Sequence, residues 1–459
     1  MARAWVPHRY LPLTEADRAQ MLATIGVASV EDLFADIPAS VRLLRDLRLP
    51  PAPSDAELLA ELRALAGQNA DADRYVCFLG AGAYDHFIPS VVWHLAGRAE
   101  FVTAYTPYQA ELMQGELQAT YEYQSLLCAL TGMEVANASM YDGASATAEA
   151  AVMARDLTRR GGILLSTAVH PEYRQVLRTY TAPLGLTVTD LPHEGGVTTP
   201  QAVRDALDGE TAAVVVQHPN FFGRLEEVQA LAEAAHAAGA LLVVAVADPV
   251  AYGLLQPPGA LGADIVAGEG QPLGNHLNFG GPYLGMLATR EAFVRRMPGR
   301  LVGATVDARG RRGFVLTLQT REQHIRRERA TSNICTNEAL NALAAAVYMA
   351  ALGPHGLRQV AEACVRKAHY ARERLCALPG FGLAFPGPTF HEFVLTCPLP
   401  PERLNEGLQA RGILGGLPLG PFYPDLDHGW LLCVTEMRTR AEIDRLVEAV
   451  AEIAEEAGR

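Results

Sequence analysis

The chain has 459 residues, a formal net charge of −13, 49% apolar residues and 19% charged residues. This length and composition are typical of a globular protein with two or three domains and a large buried core. The negative charge argues against nucleic acid or an anionic membrane as the partner. No apolar run approaches the roughly 20 residues that span a bilayer, the first residues lack the apolar core of a signal peptide, and the seven cysteines form no C-x-x-C pair. We therefore expect a cytoplasmic protein without a patterned zinc site.

The first 54 residues are predicted to be a helical extension that ends in a proline-rich linker. Two short helices are expected there, because Thr14 and Ser29 are each followed by Asp three residues later, a pattern that resembles a capping box. The linker "LPPAPS" runs from Leu49 to Ser54.

Residues 55–310 alternate between apolar strands and helices. The seven strand-like segments are "EVANASM", "GILLS", "LTVTDLP", "AAVVVQHP", "LLVVAVADP", "ADIVA" and "YLGMLA". Continuous runs of Val, Leu, Ile and Ala between helices indicate a buried, mostly parallel sheet. The sequence therefore predicts a large α/β domain.

Residues 311–459 are predicted to form a smaller α+β domain. A pair of helices comes first, "NEALNALAAAVYMAALG" and "GLRQVAEACVRKAHYARERLCALPG", and two short strands follow, "HEFVLTC" and "WLLCVTEM". The last helix should begin at Thr439, because Glu442 completes a capping box. Its apolar stripe is Ile443, Leu446, Val447, Val450 and Ile453.

Polar residues fall at the C-terminal ends of the predicted strands, where open parallel sheets bind ligands. Asp142, Gly143 and Ser145 open a helix whose free N–H groups would attract an anion such as phosphate; alternatively, Asp142 only caps that helix. Asp248 ends an apolar strand and needs a partner there. It could pair with the protonated ring nitrogen of pyridoxal phosphate, or only cap the turn before Pro249.

Two other segments carry side chains that could line a pocket. His170 precedes Pro171 at a predicted helix start, so it could stack on a ligand or shuttle a proton, or simply begin the helix. Tyr105, Tyr108 and Gln109 surround Pro107 just before another helix. They could line a pocket or serve only as packing.

The glycine-rich turn "GEGQPLG", Gly268–Gly274, lies where many pyridoxal-phosphate enzymes carry the lysine that holds the cofactor as a Schiff base. The turn contains no lysine, and the only lysine of the whole chain is Lys367. Arginine cannot replace it, because the guanidinium stays protonated. Lys367 is predicted at the edge of the apolar stripe of its helix, with its charge in water. We therefore do not expect this chain alone to hold the cofactor covalently.

Long segments of the chain resemble the α-subunit family of bacterial two-subunit glycine decarboxylase, the P-protein of the glycine cleavage system. The resemblance runs from about residue 10 to the C-terminus. The segments that carry it include "FVTAYTPYQAELMQGELQATYEYQ", "NASMYDGASATAEA", "VHPEYRQVL", "VVQHPNFFG", "GADIVAGEGQPLGNHLNFGGPYLG" and "GRLVGATVDARGRRGFVLTLQTREQHIRRERATSNICTN". Asn275 and His276 depart from the family pattern, which has small or apolar residues there.

The resemblance implies a fold-type-I pyridoxal-phosphate transferase fold with a mostly parallel seven-stranded sheet and a smaller C-terminal domain. It implies that a β subunit carries the lysine and the pyridoxal 5′-phosphate, and that two α and two β subunits form a heterotetramer. That complex would decarboxylate glycine and transfer the aminomethyl group to the lipoyl arm of H-protein, with no catalytic residue on this chain. Tyr105, Tyr108 and Gln109 become candidates for the substrate cleft. The positions of a degenerate cofactor site would be Asp142, Gly143, Ser145, His170, Asp248, Gly270 and Gln271.

Two other classes of function stay open from the residues alone. The chain could be a self-sufficient pyridoxal enzyme that uses Lys367, or a non-catalytic scaffold for a different partner. A visible absorbance band that borohydride abolishes by labelling Lys367 would indicate the former, and co-purification with an unrelated protein the latter.

Overall fold

The computed structural model describes residues 10–43, 45, 47–103 and 105–457. The chain divides into two compact units, one that ends at Asn69 and one that begins at Ala70. The first unit contains the helices α1 (Glu15–Ile25) and α2 (Asp55–Ala66) and a 3₁₀ turn at Val30–Phe34. Among its described residues, none of these three elements contributes a buried side chain.

Both predicted helix starts in the first unit are present. The Asp17 N–H donates to Thr14 Oγ1 at 3.2 Å, and the Thr14 N–H donates to the Asp17 carboxylate at 2.8 Å. Ser29 and Asp32 form the same reciprocal box. The second of the two expected helices is the short 3₁₀ turn, and α2 follows the proline-rich segment. The extension boundary at residue 54 stays a prediction.

The second unit consists of helices and strands whose bounds follow in chain order. Its α-helices, within the described residues, are α3 (Ser90–Ala96), α4 (Ala99–Val102), α5 (Gln114–Thr131), α6 (Gly143–Thr158), α7 (Pro171–Thr181), α8 (Pro200–Ala206), α9 (Val228–Ala237), α10 (Gln323–Arg326), α11 (Ala339–Cys376), α12 (Pro401–Ala410) and α13 (Arg440–Ala457). Its strands are β1 (Val76–Cys77), β2 (Val135–Ala136), β3 (Gly162–Ser166), β4 (Thr187–Leu191), β5 (Thr211–Gln217), β6 (Leu241–Val246), β7 (Ile265–Glu269), β8 (Gly285–Thr289), β9 (Leu301–Val306), β10 (Arg312–Thr317), β11 (Gly382–Leu383), β12 (Glu392–Thr396), β13 (Ile413–Leu414), β14 (Leu417–Pro418) and β15 (Gly429–Cys433).

The central sheet has seven strands in the order β2-β8-β7-β6-β5-β3-β4. These are the seven segments predicted from the sequence. The strands from β7 to β4 are parallel, and β8 is antiparallel to both of its neighbours. The prediction of a mostly parallel sheet is confirmed.

Helices cover both faces of this sheet, which explains why its strands are apolar without alternation. Val214, Val216 and Val244 point into one core cluster, together with side chains of α5, α9 and α11. Val215 and Val243 point into the other cluster, together with the alanine-rich face of α6. The carboxyl ends of the parallel strands remain as the place where loops and polar groups converge.

The C-terminal part contains a four-stranded antiparallel sheet in the order β11-β12-β15-β14. The predicted stripe of α13 is buried against it, and the Glu442 N–H donates to Thr439 Oγ1 at 3.2 Å. The predicted pair of helices is α11, interrupted at Gly353, where φ is 59° and ψ is −177°. Within the described residues, α11 is the one helix that is long and apolar enough to cross a membrane, by length and composition alone. Residues along it, such as Ala345 and Cys364, are buried in the core.

The strands β9 and β10 form an antiparallel hairpin that the sequence reading did not identify. Leu301 pairs with Thr317 and Val306 with Arg312. The side chain of Gln114, at the start of α5, accepts from the Phe314 N–H at 2.9 Å and donates to the Phe314 carbonyl at 2.8 Å. The domain boundary expected between residues 310 and 311 falls in the turn of this hairpin and stays a prediction.

Candidate cofactor cleft

The residues singled out at the strand ends lie around one polar cleft. The N-terminus of α6, the end of β7 and the turn after β7 meet where the Gly143 N–H donates to Glu269 Oε2 at 3.0 Å. Gln271 continues this contact, because its own N–H donates to Glu269 Oε1 at 2.9 Å. The structure therefore brings together Gly143, Gln271 and, through the carboxyl group between them, the end of β7.

Glu269 occupies the position where the sequence predicted an external anion. Its carboxyl group accepts from the N–H groups of Gly143, Gln271 and Leu284, the last at 2.9 Å. The side chain is buried, with 3% exposure. Burial raises the pKa of Glu269 to about 8, while the three N–H donors act in the opposite direction. Glu269 is therefore the acceptor in all three hydrogen bonds.

Asp142, Ser145 and Gly270 have local backbone roles. The Ser145 N–H donates to Asp142 Oδ1 at 2.7 Å, so Asp142 caps its own helix, as the alternative interpretation predicted. Gly270 donates its N–H to the Leu284 carbonyl at 2.6 Å. A Cβ atom at Gly270 would lie 2.8 Å from Leu284 Cδ2, so glycine allows the close approach of the turn to β8.

His170 begins α7 and also stacks inside the cleft. Its Nδ1 accepts from the Glu172 N–H at 3.1 Å, and its Nε2 donates to the Ala81 carbonyl at 2.8 Å. Its ring lies 4.9 Å from the ring of Tyr173, at an interplanar angle of 29°. Burial lowers the pKa of His170, and both ring nitrogens are used by a neutral imidazole. The structure thus shows His170 at the helix start, stacked on a tyrosine of the same chain, and a role toward a ligand stays a prediction.

Asp248 has two histidine partners. His86 Nε2 lies 3.1 Å from Asp248 Oδ2, and His391 Nε2 lies 2.6 Å from the same oxygen. The other oxygen accepts from the Val250 N–H at 2.9 Å, which is the predicted turn cap. Burial alone would raise the pKa of Asp248, but the two imidazoles hold it well below its usual range. The carboxylate that needed a partner therefore has one within its own chain.

His86 bridges two carboxylates. Its Nδ1 lies 2.7 Å from Glu436 Oε2, on the side opposite Asp248. Burial would lower the pKa of His86, but Asp248 and Glu436 reverse this and hold the pKa well above its ordinary value. His86, Asp248 and His391 are also close enough together for a metal ion, but hydrogen bonds already use the same nitrogen and oxygen atoms.

The segment Gly80–Phe87 contacts these groups through its backbone and side chains. Tyr84 is buried; its N–H donates to Gln271 Oε1 at 2.9 Å, and Gln271 Nε2 donates to the Tyr84 carbonyl at 3.1 Å. The Tyr84 hydroxyl donates to Glu392 Oε2 at 2.9 Å. Beside this segment an open cavity of about 440 Å³ remains, lined by residues that include Tyr84, His86, Gln271 and Phe279.

Pyridoxal phosphate does not fit the residues of this cleft. At the start of α6 the Gly143 N–H already donates to Glu269 and the Ser145 N–H to Asp142, and a Cβ at Gly143 would overlap the Tyr173 hydroxyl. Asp248 is taken by two imidazoles. Lys367 was predicted to hold its charge in water, but it is half-buried and donates to the Glu436 backbone carbonyl. No step of the chemistry can be assigned to a cofactor held here.

The three candidates for the substrate cleft take no part in the contacts described above. Tyr105 is 86% exposed and Gln109 is exposed. Tyr108 is 50% exposed; its hydroxyl accepts from Arg300 Nη2 at 3.1 Å, and the Arg300 guanidinium lies 5.7 Å from its ring centre. Tyr105 borders a cavity of about 290 Å³ with Glu116 and Asn337. Their role stays a prediction.

Sequence reading missed the groups that fill the cleft, chiefly Tyr84, His86, Glu269, His391, Glu392 and Glu436. For Glu269 a signal was present, because it is a carboxyl group at the end of an apolar strand, like Asp248. For His86 and His391 there was none, since they lie 162 and 143 residues from Asp248 in the chain.

Comparison with known proteins identifies the family. The family model described as "Glycine cleavage system P-protein" matches residues 8–450. The chain is 55% identical to the "Probable glycine dehydrogenase (decarboxylating) subunit 1" of Desulfitobacterium hafniense, over 97% of this chain and 99% of that protein. It is also 55% identical to the protein of the same name from Thermomicrobium roseum, over 96% and 99% of the two chains.

Solved structures support the same family assignment. A crystal structure of glycine decarboxylase (P-protein) of the glycine cleavage system, in inhibitor-bound form, superposes with a TM-score of 0.90 at 48% identity, over 97% of this chain and all of that one. Lactobacillus brevis glutamate decarboxylase, at 12% identity and a TM-score of 0.69 over 91% and 96% of the two chains, shares the fold alone. The fold is that of the fold-type-I pyridoxal-phosphate enzymes, and the chain belongs to the P-protein family of the glycine cleavage system.

Proposed function

We propose that this chain is the cofactor-free subunit of a two-subunit glycine decarboxylase. Relatives that match it over nearly its whole length are named as subunit 1 of glycine dehydrogenase (decarboxylating). The observation that carries the proposal is the cleft described above, in which Glu269, His86 and His391 occupy the polar groups that a phosphorylated cofactor would need. A decarboxylase subunit with such a cleft requires a second chain.

The partner would be a β subunit with a lysine in the corresponding turn, and two copies of each chain would form the complex. Pyridoxal phosphate bound to that partner would supply the electron sink for loss of CO2 from glycine. The lipoyl group of H-protein would accept the aminomethyl group, in an enzyme of glycine catabolism in the cytoplasm.

In the reaction, this chain would form one side of the active site that it shares with the β subunit. Tyr105, Tyr108 and Gln109 offer two phenols and one amide on an exposed loop. Arg300, which is buried, holds the Tyr108 hydroxyl and the Cys335 carbonyl, and thereby fixes the base of this loop. Such groups can position a substrate arm and exclude water without making a covalent bond themselves.

Reconstitution tests the proposal. We expect the purified chain alone to show no exchange of glycine carboxylate with CO2, because its cleft offers no cofactor site. Adding a β chain loaded with pyridoxal phosphate, together with lipoylated H-protein, should give activity that rises until the two chains are equimolar.

The control is the β chain alone at the same concentration. Sedimentation or light scattering should show equal amounts of both chains in the active particle. Full activity of either chain alone would contradict the proposal.

A further inference from the structure

We propose that Glu269 is a built-in replacement for a phosphate group, and that its carboxyl group closes an oxyanion site formed by three backbone N–H groups. The chemical class that this site would otherwise take is a phosphate monoester or inorganic phosphate.

The three donors come from separate parts of the fold. Gly143 stands at the start of α6, Gln271 in the turn after β7, and Leu284 just before β8, at 3.0, 2.9 and 2.9 Å from the Glu269 carboxyl oxygens. The first-turn N–H groups of a helix attract negative groups, and α6 has 16 residues. Convergence of two additional backbone donors on the same carboxyl group exceeds an ordinary helix cap, which α6 already has in Asp142.

The start of α6 packs closely against β7 and Tyr173. A Cβ at Gly143 would lie 2.8 Å from the Glu269 backbone nitrogen, and it would overlap the Tyr173 hydroxyl. Tyr173 is buried and stacks with His170. The oxyanion site is therefore both occupied and covered.

Asp248 is a second place where groups of the chain itself take the position of a ligand group. A phosphorylated pyridine ring would offer this carboxylate a protonated ring nitrogen, and the chain instead offers it imidazole nitrogens at 3.1 and 2.6 Å. Gln271 links the two places: its N–H donates to Glu269, and its side chain bonds to the backbone of Tyr84. The Tyr84 ring lies 4.8 Å from that of His391. Internal groups thus stand in for both polar ends of the ligand.

The identity of the excluded ligand as a pyridoxal cofactor rests on the proposed function, but the oxyanion site does not. The two can therefore fail separately. Phosphate binding by a variant of this chain tests the site, and reconstitution with the β chain tests the function.

The experiment is calorimetric titration of the full chain with inorganic phosphate at constant ionic strength. Glu269→Ala should bind phosphate at least about tenfold more tightly than the unaltered chain, a difference well within the range of such titrations. Its melting temperature should be lower than that of the unaltered chain in chloride and should rise in phosphate. Unaltered chain that binds phosphate as tightly as the variant, or a variant that gains no affinity, would overturn the proposal.

A matched control is Glu226→Ala, which removes another buried carboxyl group that accepts from the Thr198 N–H at 2.8 Å and from Asn220 Nδ2 at 2.7 Å. It should lose stability without gaining phosphate affinity. If both variants gain equally, the effect is not specific to the three N–H donors and the proposal fails.

A second readout covers failure to fold. If Glu269→Ala is insoluble in chloride, soluble yield in phosphate decides the question: recovery supports the site, and equal loss in both buffers overturns it. Pyridoxal phosphate is the last probe. We expect the single variant to bind it no better than inorganic phosphate, because Tyr84 and His86 still fill the place of the ring; much tighter binding would show that the imidazoles do not act as a replacement.

Discussion

Glu269 and Asp248 are both carboxyl groups at the ends of buried strands, yet the chain satisfies them in opposite ways. Backbone N–H groups surround Glu269, whose pKa burial raises to about 8, and imidazoles surround Asp248, whose pKa they depress. The position of Asp248 could be predicted, because a carboxylate after an apolar strand needs a partner. Its partners could not, because they come from segments that only the folded chain brings close.

At the residue scale, His86 is expected to contribute strongly to stability. His86→Asn should lower the free energy of unfolding by about 3 kcal/mol, because it removes the cation shared by the buried Asp248 and the mostly buried Glu436, and only Asp248 keeps a second imidazole. Chemical denaturation measures this, and His94→Asn, at an exposed position of α3, is the control that should change little. A loss below about 0.5 kcal/mol, as for a surface change, would contradict the assignment of an ion pair.

The same histidine predicts how stability depends on pH. Its folded pKa lies above its unfolded one, which is about 6.5, so its contribution is complete below pH 6.5 and is lost as the pH rises through the raised value. Groups that face it are Asp248, Glu436, Cys364, His391 and Tyr84. The gap in unfolding free energy between the unaltered chain and His86→Asn should therefore narrow in alkaline buffer. A gap that widens would show that His86 is neutral in the folded chain.

Tyr105 is the residue on which the proposed active-site role can be tested with least risk to the fold. Its side chain is 86% exposed, so Tyr105→Phe should leave the stability of the free chain unchanged. In the reconstituted complex we expect the rate of glycine decarboxylation to fall by roughly tenfold, the scale of one interaction worth about 1.4 kcal/mol in the transition state. Particle size serves as the control for assembly. An unchanged rate with intact assembly would make this tyrosine a packing residue.

Among the elements, the interruption of α11 shows what can be predicted from local sequence. The sequence predicted two helices, the first ending at Gly353, and the structure interrupts α11 at this residue, in a backbone region that only glycine adopts readily. The hairpin of β9 and β10 was missed, because its strands are largely half-buried or exposed and so lack the buried apolar run that marked the other strands. Its tie to α5 through Gln114 is a long-range contact.

This interruption gives a prediction that depends only on the backbone. Gly353→Ala should lower the free energy of unfolding by about 1–3 kcal/mol, because the φ and ψ of this position strain any residue with a Cβ. The matched control is Gly115→Ala in α5, since a Cβ at either glycine meets open space and only Gly353 has a positive φ. Gly115→Ala should be neutral or stabilising. Equal effects of the two substitutions on the denaturation midpoint would contradict this account.

At the scale of the whole molecule, the sequence predicted the architecture well and the site poorly. The seven strands of the central sheet are all where the apolar runs placed them, because burial on both faces leaves a strong local signal. The side chains that occupy the cleft come from Gly80–Phe87 and from the start of β12, two segments far apart in the sequence. Such contacts follow from the topology and carry no mark in the local sequence.

The whole chain should also resist covalent labelling by its family's cofactor. After incubation with pyridoxal phosphate and reduction with borohydride, mass spectrometry of the intact chain should show no stoichiometric adduct. The reason is that the turn lacks lysine and that the Lys367 ammonium donates to the Glu436 carbonyl. A β chain treated in parallel is the positive control, and stoichiometric modification of Lys367 would favour the self-sufficient enzyme instead.

The occupation of the cleft by side chains of this chain has a consequence for nutrition as well as for chemistry. Many enzymes of this fold are completed only when their vitamin-derived ligand arrives, and mass action then makes their folded population depend on its supply. In this chain side chains complete the cleft during folding. We therefore expect its abundance in a cell to be unaffected by vitamin B6 shortage, so that the same amount of this chain is present whether or not the partner has received its cofactor.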